Sequence, residues 1–381
     1  MKLMAISLPA ILVVLPLAGQ DAASGEKVSA KEDEPLDGKE ILNLFLKANE
    51  GNAEAQYLLA GRMDLGVGGF KKNHGEAIKW YEKAASGGHD KAQFNLGYYY
   101  LKGDGVKRDP EVAVTWFRKS ALQGNEQAQF WMGQCYTDGI GIPEDAREGV
   151  RWFRLSAEQG SQQSQGCLGF AYALGRGVTQ DQTEAVKWWR KSAEQGSSPS
   201  QDALGDCYKK GSGVPQDYIE SVKWYRKAAD QGYASSQEQM GNAYAYGRGV
   251  PQLYVEAAKW YQKAAAQGSE FSMCQLGIFY ESGRGVPKNN AEAVKWYRMS
   301  AEHGFAIAQC SLGLCYAMGT GVQKDNIEAY VWLTMSVKNG YEKAVEGQDI
   351  VGKSLSSIEK TMALSRAMQL NTEIQARKGN R

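Results

Sequence analysis

The chain has 381 residues, 43% of them hydrophobic, and its 44 Lys and Arg residues nearly balance its 43 Asp and Glu residues. This length is sufficient for a sizeable core, and the balanced charge argues against the basic surface that binds nucleic acids or anionic membranes. The three histidines, His74, His89 and His303, lie far apart in the sequence without metal-ligand spacing. We therefore expect no metal site and no cofactor, and we interpret the histidines as solvent-facing loop residues.

Residues 1–19 have the pattern of a secretory signal peptide, because Lys2 precedes the almost wholly apolar run Leu3–Leu17. The run is short for a transmembrane helix, although an uncleaved N-terminal anchor is the alternative. Gln20 stands where a lipoprotein would carry its lipidated cysteine. The sequence therefore predicts an exported protein, periplasmic or secreted, without stable membrane insertion after cleavage. Residues 20–36 are polar and charged, which predicts a disordered linker.

A tryptophan recurs at intervals of 36 residues through most of the chain, and only Trp131 and Trp189 fall outside the series. A fixed period of this length is typical of solenoids, in which each repeat packs only on its neighbours. The residues around each tryptophan favour helix and include small and bulky side chains at helical spacing. Each block is thus predicted to be an amphipathic helix. The series is Trp80, Trp116, Trp152, Trp188, Trp224, Trp260, Trp296 and Trp332.

A second helical block opens each repeat. A small residue, a Leu or Met, and a Tyr recur at positions i, i+4 and i+8, as in Ala92, Leu96 and Tyr100, and so share one helix face. A glycine follows the Leu or Met, as Gly97 does, although glycine inside a helix costs about 1 kcal/mol relative to alanine. Its recurrence predicts that the two helices of a repeat cross there too closely for a side chain.

A Gly-x-Gly-Val sequence connects the two helices, as in Gly103, Gly105 and Val106. The first glycine suits a helix C-terminus with positive φ, the second permits the sharp return, and the Val is predicted to close the end of the helix pair. Such short connections predict antiparallel helices. A phosphate-binding loop would need a preceding strand, and the pattern predicts none.

These repeats resemble the Sel1-like repeat, a two-helix relative of the tetratricopeptide repeat. The resemblance covers about residues 53–343 and implies an all-α fold, an α/α solenoid forming a right-handed superhelix of about eight 36-residue helix-turn-helix repeats. Residues 37–52 are predicted to form an N-terminal capping helix, and residues 344–381 to form polar-faced C-terminal capping helices. The pattern is most complete in Asp202–Gly232, with Leu204-Gly205, Tyr208, Gly211, Gly213-Val214, Asp217, Trp224-Tyr225-Arg226-Lys227-Ala228-Ala229 and Gly232.

The resemblance implies a non-enzymatic scaffold or adaptor that binds a partner protein or peptide in its concave groove. We expect a monomer that does not bind nucleic acid. The alternative is the β-lactamase or penicillin-binding activity proposed for some cysteine-rich relatives. The Ser-x-x-Lys motif of that chemistry occurs at Ser24–Lys27 and Ser357–Lys360, but the companion motifs Ser-Asp-Asn and Lys-Thr-Gly are absent from the sequence.

Residues at the third, seventh and tenth positions of the first helices are expected to project into the groove. They differ from repeat to repeat, being aromatic in the N-terminal third and acidic in the middle, which suits a partner that is apolar at one end and basic at the other. The alternative is that the aromatic side chains fill the core between repeats. Trp131 has no counterpart in the other first helices. The predicted binding residues are Phe94, Tyr98, Phe130, Trp131, Phe170, Asp202, Asp206 and Glu238.

The cysteines all lie in first helices. An exported protein favours disulfides, but the pairing between the two helices of one repeat that cysteine-rich relatives use needs cysteines in second helices, which contain none. We therefore expect small, buried, free thiols. They are Cys135, Cys167, Cys207, Cys274, Cys310 and Cys315.

Overall fold

A computed structural model of the protein describes residues 36–379. The predicted signal peptide, residues 1–19, and the predicted linker up to residue 35 lie outside the described residues. The elements of the described part are all α-helices, which confirms the all-α prediction. The chain divides into two compact units, Met1–Gln180 and Asp181–Arg381, and each unit is described by itself.

The first unit contains a short N-terminal helix followed by antiparallel helix pairs of the repeats. Adjacent helices pack on one another in chain order. Its helices are α1 (Gly38–Asn49), α2 (Ala53–Leu65), α3 (His74–Ser86), α4 (Asp90–Lys102), α5 (Pro110–Leu122), α6 (Glu126–Asp138), α7 (Ala146–Glu158) and α8 (Gln162–Leu174).

The second unit repeats this arrangement and ends with two further helices that pack on α17. Its helices are α9 (Gln182–Glu194), α10 (Ser198–Lys210), α11 (Tyr218–Asp230), α12 (Ala234–Tyr246), α13 (Tyr254–Ala266), α14 (Glu270–Ser282), α15 (Asn290–Glu302), α16 (Ala306–Met318), α17 (Asn326–Lys338), α18 (Ala344–Lys353) and α19 (Ser357–Gly379).

The second helix of a repeat begins at an Asp or Asn whose side chain caps the first turn. In α11, Asp217 Oδ1 accepts hydrogen bonds from the backbone N–H groups of Ile219 at 2.9 Å and Glu220 at 3.0 Å. Such a cap contributes about 1 kcal/mol relative to a residue that cannot cap. The second helix α13 departs from this rule, because its N-cap residue is Leu253, whose side chain cannot cap.

The Gly-x-Gly connections have the predicted backbone geometry. The first glycine ends the first helix in the left-handed conformation, as Gly211 does with φ 71°. The second glycine lies against the preceding repeat: a Cβ on Gly213 would be 2.3 Å from the carbonyl oxygen of Gln182, at the start of α9. Only a residue without a side chain allows this approach, so the second glycine sets how closely successive repeats stack.

The glycine inside the first helix of most repeats faces the residue that follows the repeated tryptophan. A Cβ on Gly241 would lie 2.5 Å from ring carbons of Tyr261, and one on Gly205 equally close to the ring of Tyr225. These contacts confirm that the two helices of a repeat cross too closely for a side chain at this point. The rings of Phe117, Phe153 and Tyr297 fill the same position in other repeats.

A buried glutamine near the start of most first helices is a feature that sequence analysis missed. Gln237 Nε2 donates to the carbonyl oxygen of Ala229 at 3.2 Å, at the end of the preceding second helix. Its own carbonyl oxygen accepts a hydrogen bond from Gln267 Nε2 at 2.8 Å, at the end of the same repeat. The side chain thereby adds a second hydrogen bond to a helix-end carbonyl, which also accepts one from the N–H of Gly232 at 3.0 Å. The available signal was the glutamine that follows the small opening residue in most repeats.

The C-terminal helix α19 differs from the predicted polar-faced cap. Its inner face, with Ala363, Ala367 and Ile374, is buried in the core cluster of the last repeats. Its outer face exposes Ile358 and Met362, the former to 74%. The helix therefore packs on the core of the last repeats, and its outer face is partly apolar.

Candidate protein-binding surface

The three positions predicted to line the groove differ in their exposure. The third position is often part of the core: Phe94 is 4% exposed and Cys274 is also buried. At the tenth position, Leu101 and Ala245 are buried, whereas the seventh position is half-buried or exposed. The third-position side chain packs on the aromatic residue of the second helix, as Phe94 does on Phe117 with ring centroids 5.8 Å apart. The prediction that Phe94 projects into a groove is therefore wrong.

Three of the predicted residues, Tyr98 of α4 and Phe130 and Trp131 of α6, form a half-buried group that we call the aromatic surface. The Trp131 ring meets Tyr98 edge-on at 5.8 Å and Phe130 edge-on at 5.8 Å. It also stacks on Phe117 of α5 at 5.9 Å with an interplanar angle of 12°. Trp131 thus connects two consecutive repeats while part of each ring stays open to solvent.

The aromatic surface has firm support beneath it. Phe130 packs on Phe153 of α7 at 5.9 Å, and Phe117 and Phe153 are themselves buried. Phe170 of α8, the fifth aromatic residue of the prediction, is half-buried in the next first helix. These contacts hold the rings in fixed orientations before any ligand arrives.

The predicted acidic residues of the second unit have partners within the protein. Asp206 accepts hydrogen bonds from the hydroxyl of Tyr225 and from Lys210 Nζ, the latter at 2.5 Å. Burial raises the pKa of Asp206, but the hydrogen bonds from Lys210 and Tyr225 outweigh it, so that the net pKa is lowered. Its negative charge is therefore largely balanced by a neighbouring lysine.

Two carboxylates connect consecutive first helices: Asp202 connects α10 to α12, and Glu238 connects α12 to α14. Asp202 accepts hydrogen bonds from the hydroxyls of Ser236 at 2.5 Å and Ser235 at 3.3 Å, in the first turn of α12. Glu238 accepts one from Ser269, the N-cap of α14, at 2.6 Å. Burial raises the pKa of Asp202 to about 6, against the opposing effect of the serine hydroxyls, and also raises the pKa of Glu238. Binding of a basic partner by these carboxylates stays a prediction, because their visible role is between repeats.

Two histidines are not the solvent-facing loop residues of the sequence interpretation. His89 is the N-cap of α4, where it stacks on Tyr57 with ring centroids 4.4 Å apart and its Nε2 lies 2.9 Å from Glu54. His74 Nδ1 lies 2.7 Å from Asp64 Oδ1, which also accepts a hydrogen bond from the Tyr99 hydroxyl. Both histidines therefore have structural partners in the first repeats.

The six cysteines are thiols in the structure, and five of them are buried. Burial raises the pKa of every one of these thiols, to about 12 for Cys135. A thiol held protonated is a poor nucleophile. Within residues 36–379, no group of three or more His, Cys, Asp or Glu side chains is arranged to hold a metal ion. None of the helices described is long and apolar enough to cross a membrane.

The Ser-x-x-Lys pair of the alternative enzymatic reading lies at the exposed start of α19. Ser357 is exposed and its carbonyl oxygen accepts a hydrogen bond from the Thr361 hydroxyl at 2.9 Å. Ser24–Lys27 lies outside the described residues.

A model of the Sel1 repeat matches the chain in eight segments, at residues 53–89, 90–125, 126–161, 168–197, 198–233, 234–269, 271–305 and 306–341. Among solved structures, the chain is similar to a Sel1 repeat protein from Oxalobacter formigenes, with 29% identity and a TM-score of 0.63 over 82% of this chain and 90% of the other. It is also similar to c5321, a protective antigen of uropathogenic Escherichia coli strains with an SLR fold, with 28% identity and a TM-score of 0.54 over 89% of this chain and 97% of the other. A search of curated proteins finds no match. The eight matched segments and the helix pairs that carry them show that the chain belongs to the Sel1 repeat family.

Proposed function

We propose that this chain is a non-enzymatic scaffold, exported to the cell envelope or beyond, that binds an extended or helical segment of a partner protein on the aromatic surface. Sel1 repeat proteins generally mediate protein–protein interactions. The observation that carries the proposal for this chain is the half-buried group of Tyr98, Phe130 and Trp131, held by ring contacts across two repeats.

Aromatic side chains of this kind suit the central anchors of a protein interface. Binding hot spots are enriched in Trp and Tyr, and ordering flexible side chains on binding lowers affinity. Trp131 is already oriented by its stack on Phe117, so a partner would not need to order it. The partner side chains that fit between these rings are apolar, because each ring face that remains open is itself apolar.

Export is supported by the sequence of residues 1–19 alone. If these residues are a cleaved signal, the mature chain purified from source cells should begin near Gln20. Mass spectrometry of the intact protein from the envelope and medium fractions measures this directly. An N-terminus at Met1 in a membrane-bound fraction would favour the uncleaved anchor.

Binding on the aromatic surface is tested by Tyr98→Ser and Phe130→Ser, with Leu122→Ser as the control. Leu122 is exposed in the same unit but lies on a second helix, outside the aromatic surface. Proteins captured from the source envelope by the wild-type chain would be identified, and their dissociation constants measured for each variant. We expect the first two changes to weaken binding at least about tenfold, while the control binds normally.

Thermal unfolding of the same variants separates binding from folding. Both aromatic side chains are half-buried, so the unfolding midpoint should change little. If both changes instead unfold the protein, the rings belong to the core and the partner must bind elsewhere.

The enzymatic alternative has a simple test of its own. Purified protein would be incubated with a chromogenic β-lactam. Hydrolysis that Ser357→Ala abolishes would overturn the non-enzymatic proposal.

A further inference from the structure

The second helix α13 lacks a capping interaction that the other second helices possess. Its N-cap residue Leu253 has no side-chain hydrogen bond, whereas Asp217 and Asn289 cap the equivalent helices of the adjoining repeats. Leu253 is also 48% exposed, so its apolar side chain is not buried in exchange. A residue that neither caps nor packs gives no stability, and positions that break a local rule in this way are expected at functional sites.

Leu253 lies among other exposed apolar side chains. Ile219 is 61% exposed and Tyr246 is 56% exposed, and Tyr218 and Val255 are exposed as well. We call these five residues, together with Arg248 and Arg284, the loop-edge patch. In the next repeat the equivalent positions carry Ser282, Asn289, Asn290 and Ala291. The exposed apolar side chains therefore cluster in two consecutive repeats, and the next repeat has polar or small residues in their place.

Backbone contacts make the loop-edge patch continuous. The loop after α12 lies on the start of α11, since a Cβ on Gly249 would be 2.1 Å from the carbonyl oxygen of Tyr218. The loop after α14 lies in the same way on the start of α13, with Gly285 against Tyr254. Side chains of two helix starts and two loops thus share one edge of the second unit.

The arginines of these loops differ from their counterpart in the first unit. Arg176 occupies the same loop position and is paired with Glu144 at 3.2 Å and with Asp138 at 3.8 Å. Two and three repeats later, at the positions that would face Arg248 and Arg284, Glu144 is replaced by Gln216 and Gln252, and Asp138 by Lys210 and Tyr246.

Arg248 and Arg284 therefore occupy the same loop position as Arg176 but lack its two neighbouring carboxylates. Arg248 instead lies over the ring of Tyr246 at 5.5 Å, and Arg284 over the ring of Tyr254 at 5.7 Å. Within the described residues, neither guanidinium has a carboxylate at ion-pair distance. Each is oriented by an aromatic ring and exposed, which leaves its donors available to an anionic group.

We propose that the loop-edge patch is a second interaction surface, which binds a protein segment carrying carboxylates next to apolar side chains. The guanidinium groups of Arg248 and Arg284 would each bind a carboxylate, in the bidentate geometry that arginine favours. Leu253, Ile219 and Tyr246 would bury the apolar side chains of the same segment. The loop-edge patch shares no residue with the aromatic surface, which lies in the first unit.

The probe is a fluorescein-labelled peptide of alternating Glu-Leu and Asp-Phe pairs, and its counterpart has lysine at each acidic position. We expect saturable binding of the acidic peptide to the full chain by fluorescence anisotropy, with an affinity that falls as salt is added. Arg248→Gln combined with Arg284→Gln should weaken binding at least about tenfold. The matched control Arg176→Gln changes the arginine that is already paired and should leave binding unaltered.

The substitution Leu253→Asp distinguishes a role of Leu253 in peptide binding from a role in the stability of the fold. The aspartate restores the missing cap, so the unfolding midpoint should rise, while loss of the apolar side chain and the added negative charge should weaken peptide binding. Tyr98→Ser should bind the acidic peptide as the wild type does, because it alters the other surface.

Four outcomes would overturn the proposal. They are no saturable binding of the acidic peptide, equal binding of its lysine counterpart, unaltered binding by Leu253→Asp, and binding by Arg176→Gln that falls as much as in the double variant. Two further results assign the patch to another occupant and so also overturn it: self-association in sedimentation that Leu253→Asp abolishes, or cosedimentation with phosphatidylglycerol vesicles that depends on Leu253.

Discussion

Trp224 represents the repeated tryptophans at the scale of a single residue. It is 4% exposed, and Lys227 Nζ lies 3.8 Å from the centroid of its ring. Trp224→Ala removes the largest side chain of its repeat from the core, and such truncations cost about 3–5 kcal/mol. We expect a loss of this size in urea unfolding. A loss below about 1 kcal/mol would mean that the tryptophan contributes little to the core.

Asp202 should make stability depend on pH. Burial raises its pKa to about 6, whereas an Asp in the unfolded chain titrates near 3.9. Between these values the folded state holds more protons than the unfolded state, so stability falls as the pH rises from about 4 to about 6. Asp202→Asn should remove this fall and stabilise the protein at pH 7.

The matched control for that pH profile is Asp206→Asn. The lysine and tyrosine beside Asp206 lower its pKa, so its charge stabilises the folded state above the unfolded pKa and that contribution is lost on acidification. Asp206→Asn should therefore destabilise the protein at pH 7. Opposite signs for the two variants in unfolding measured across this pH range would support both assignments, and the same sign would contradict them.

The burial of side chains at the third position of the first helices could not be predicted from the sequence. Phe94 and Phe130 occupy equivalent positions, yet only Phe94 is fully buried. The rings that contact Phe94, those of Tyr98 and Phe117, are covered by Trp131 of the next repeat. The repeat after that has the smaller Cys167 in the position of Trp131. Exposure thus depends on the neighbouring repeat, which the period alone does not reveal.

The pair of helices in one repeat gives a prediction at the scale of an element. Alanine normally stabilises a helix relative to glycine by about 1 kcal/mol. A Cβ on Gly241 would lie 2.5 Å from the ring of Tyr261, whereas a Cβ on Gly61 would meet only the hydroxyl of Tyr81, at 3.7 Å. We therefore expect Gly241→Ala to destabilise the protein by about 1–3 kcal/mol and Gly61→Ala to stabilise it. Equal effects of the two changes in thermal unfolding would contradict the close approach.

The helices and loops of the repeat were the part of the fold that the sequence predicted best. Each rule for the two helices and their loop is repeated along the chain, so a feature such as the helix-terminating Gly211 could be inferred from many equivalent positions. Departures from the rules were harder to interpret. The missing cap at Leu253 is visible in the sequence, but its exposure depends on how the loop after α14 lies on the start of α13.

The six thiols supply a prediction for the whole molecule. Burial raises their pKa values, so that the reactive thiolate is scarce at neutral pH. Titration of the denatured, unreduced protein should count close to six thiols, and the folded protein should react with the same reagent much more slowly. A count of four or fewer would show at least one disulfide.

The hydrogen bond between the buried glutamine and the residue at the end of its repeat affects how the number of repeats can change during evolution. Both members of a pair lie in one repeat, as Gln237 and Gln267 do. Where Met273 replaces the glutamine, His303 replaces its partner within the same repeat and bonds to its own helix. Recombination that deletes one repeat length, Ser269–Gly304, would join Gly268 to Phe305. The carbonyl oxygen of Ala265 would then replace that of Ala301 as the acceptor for Gln309 Nε2. The array can therefore lengthen or shorten by whole repeats over evolution without leaving a buried amide unpaired.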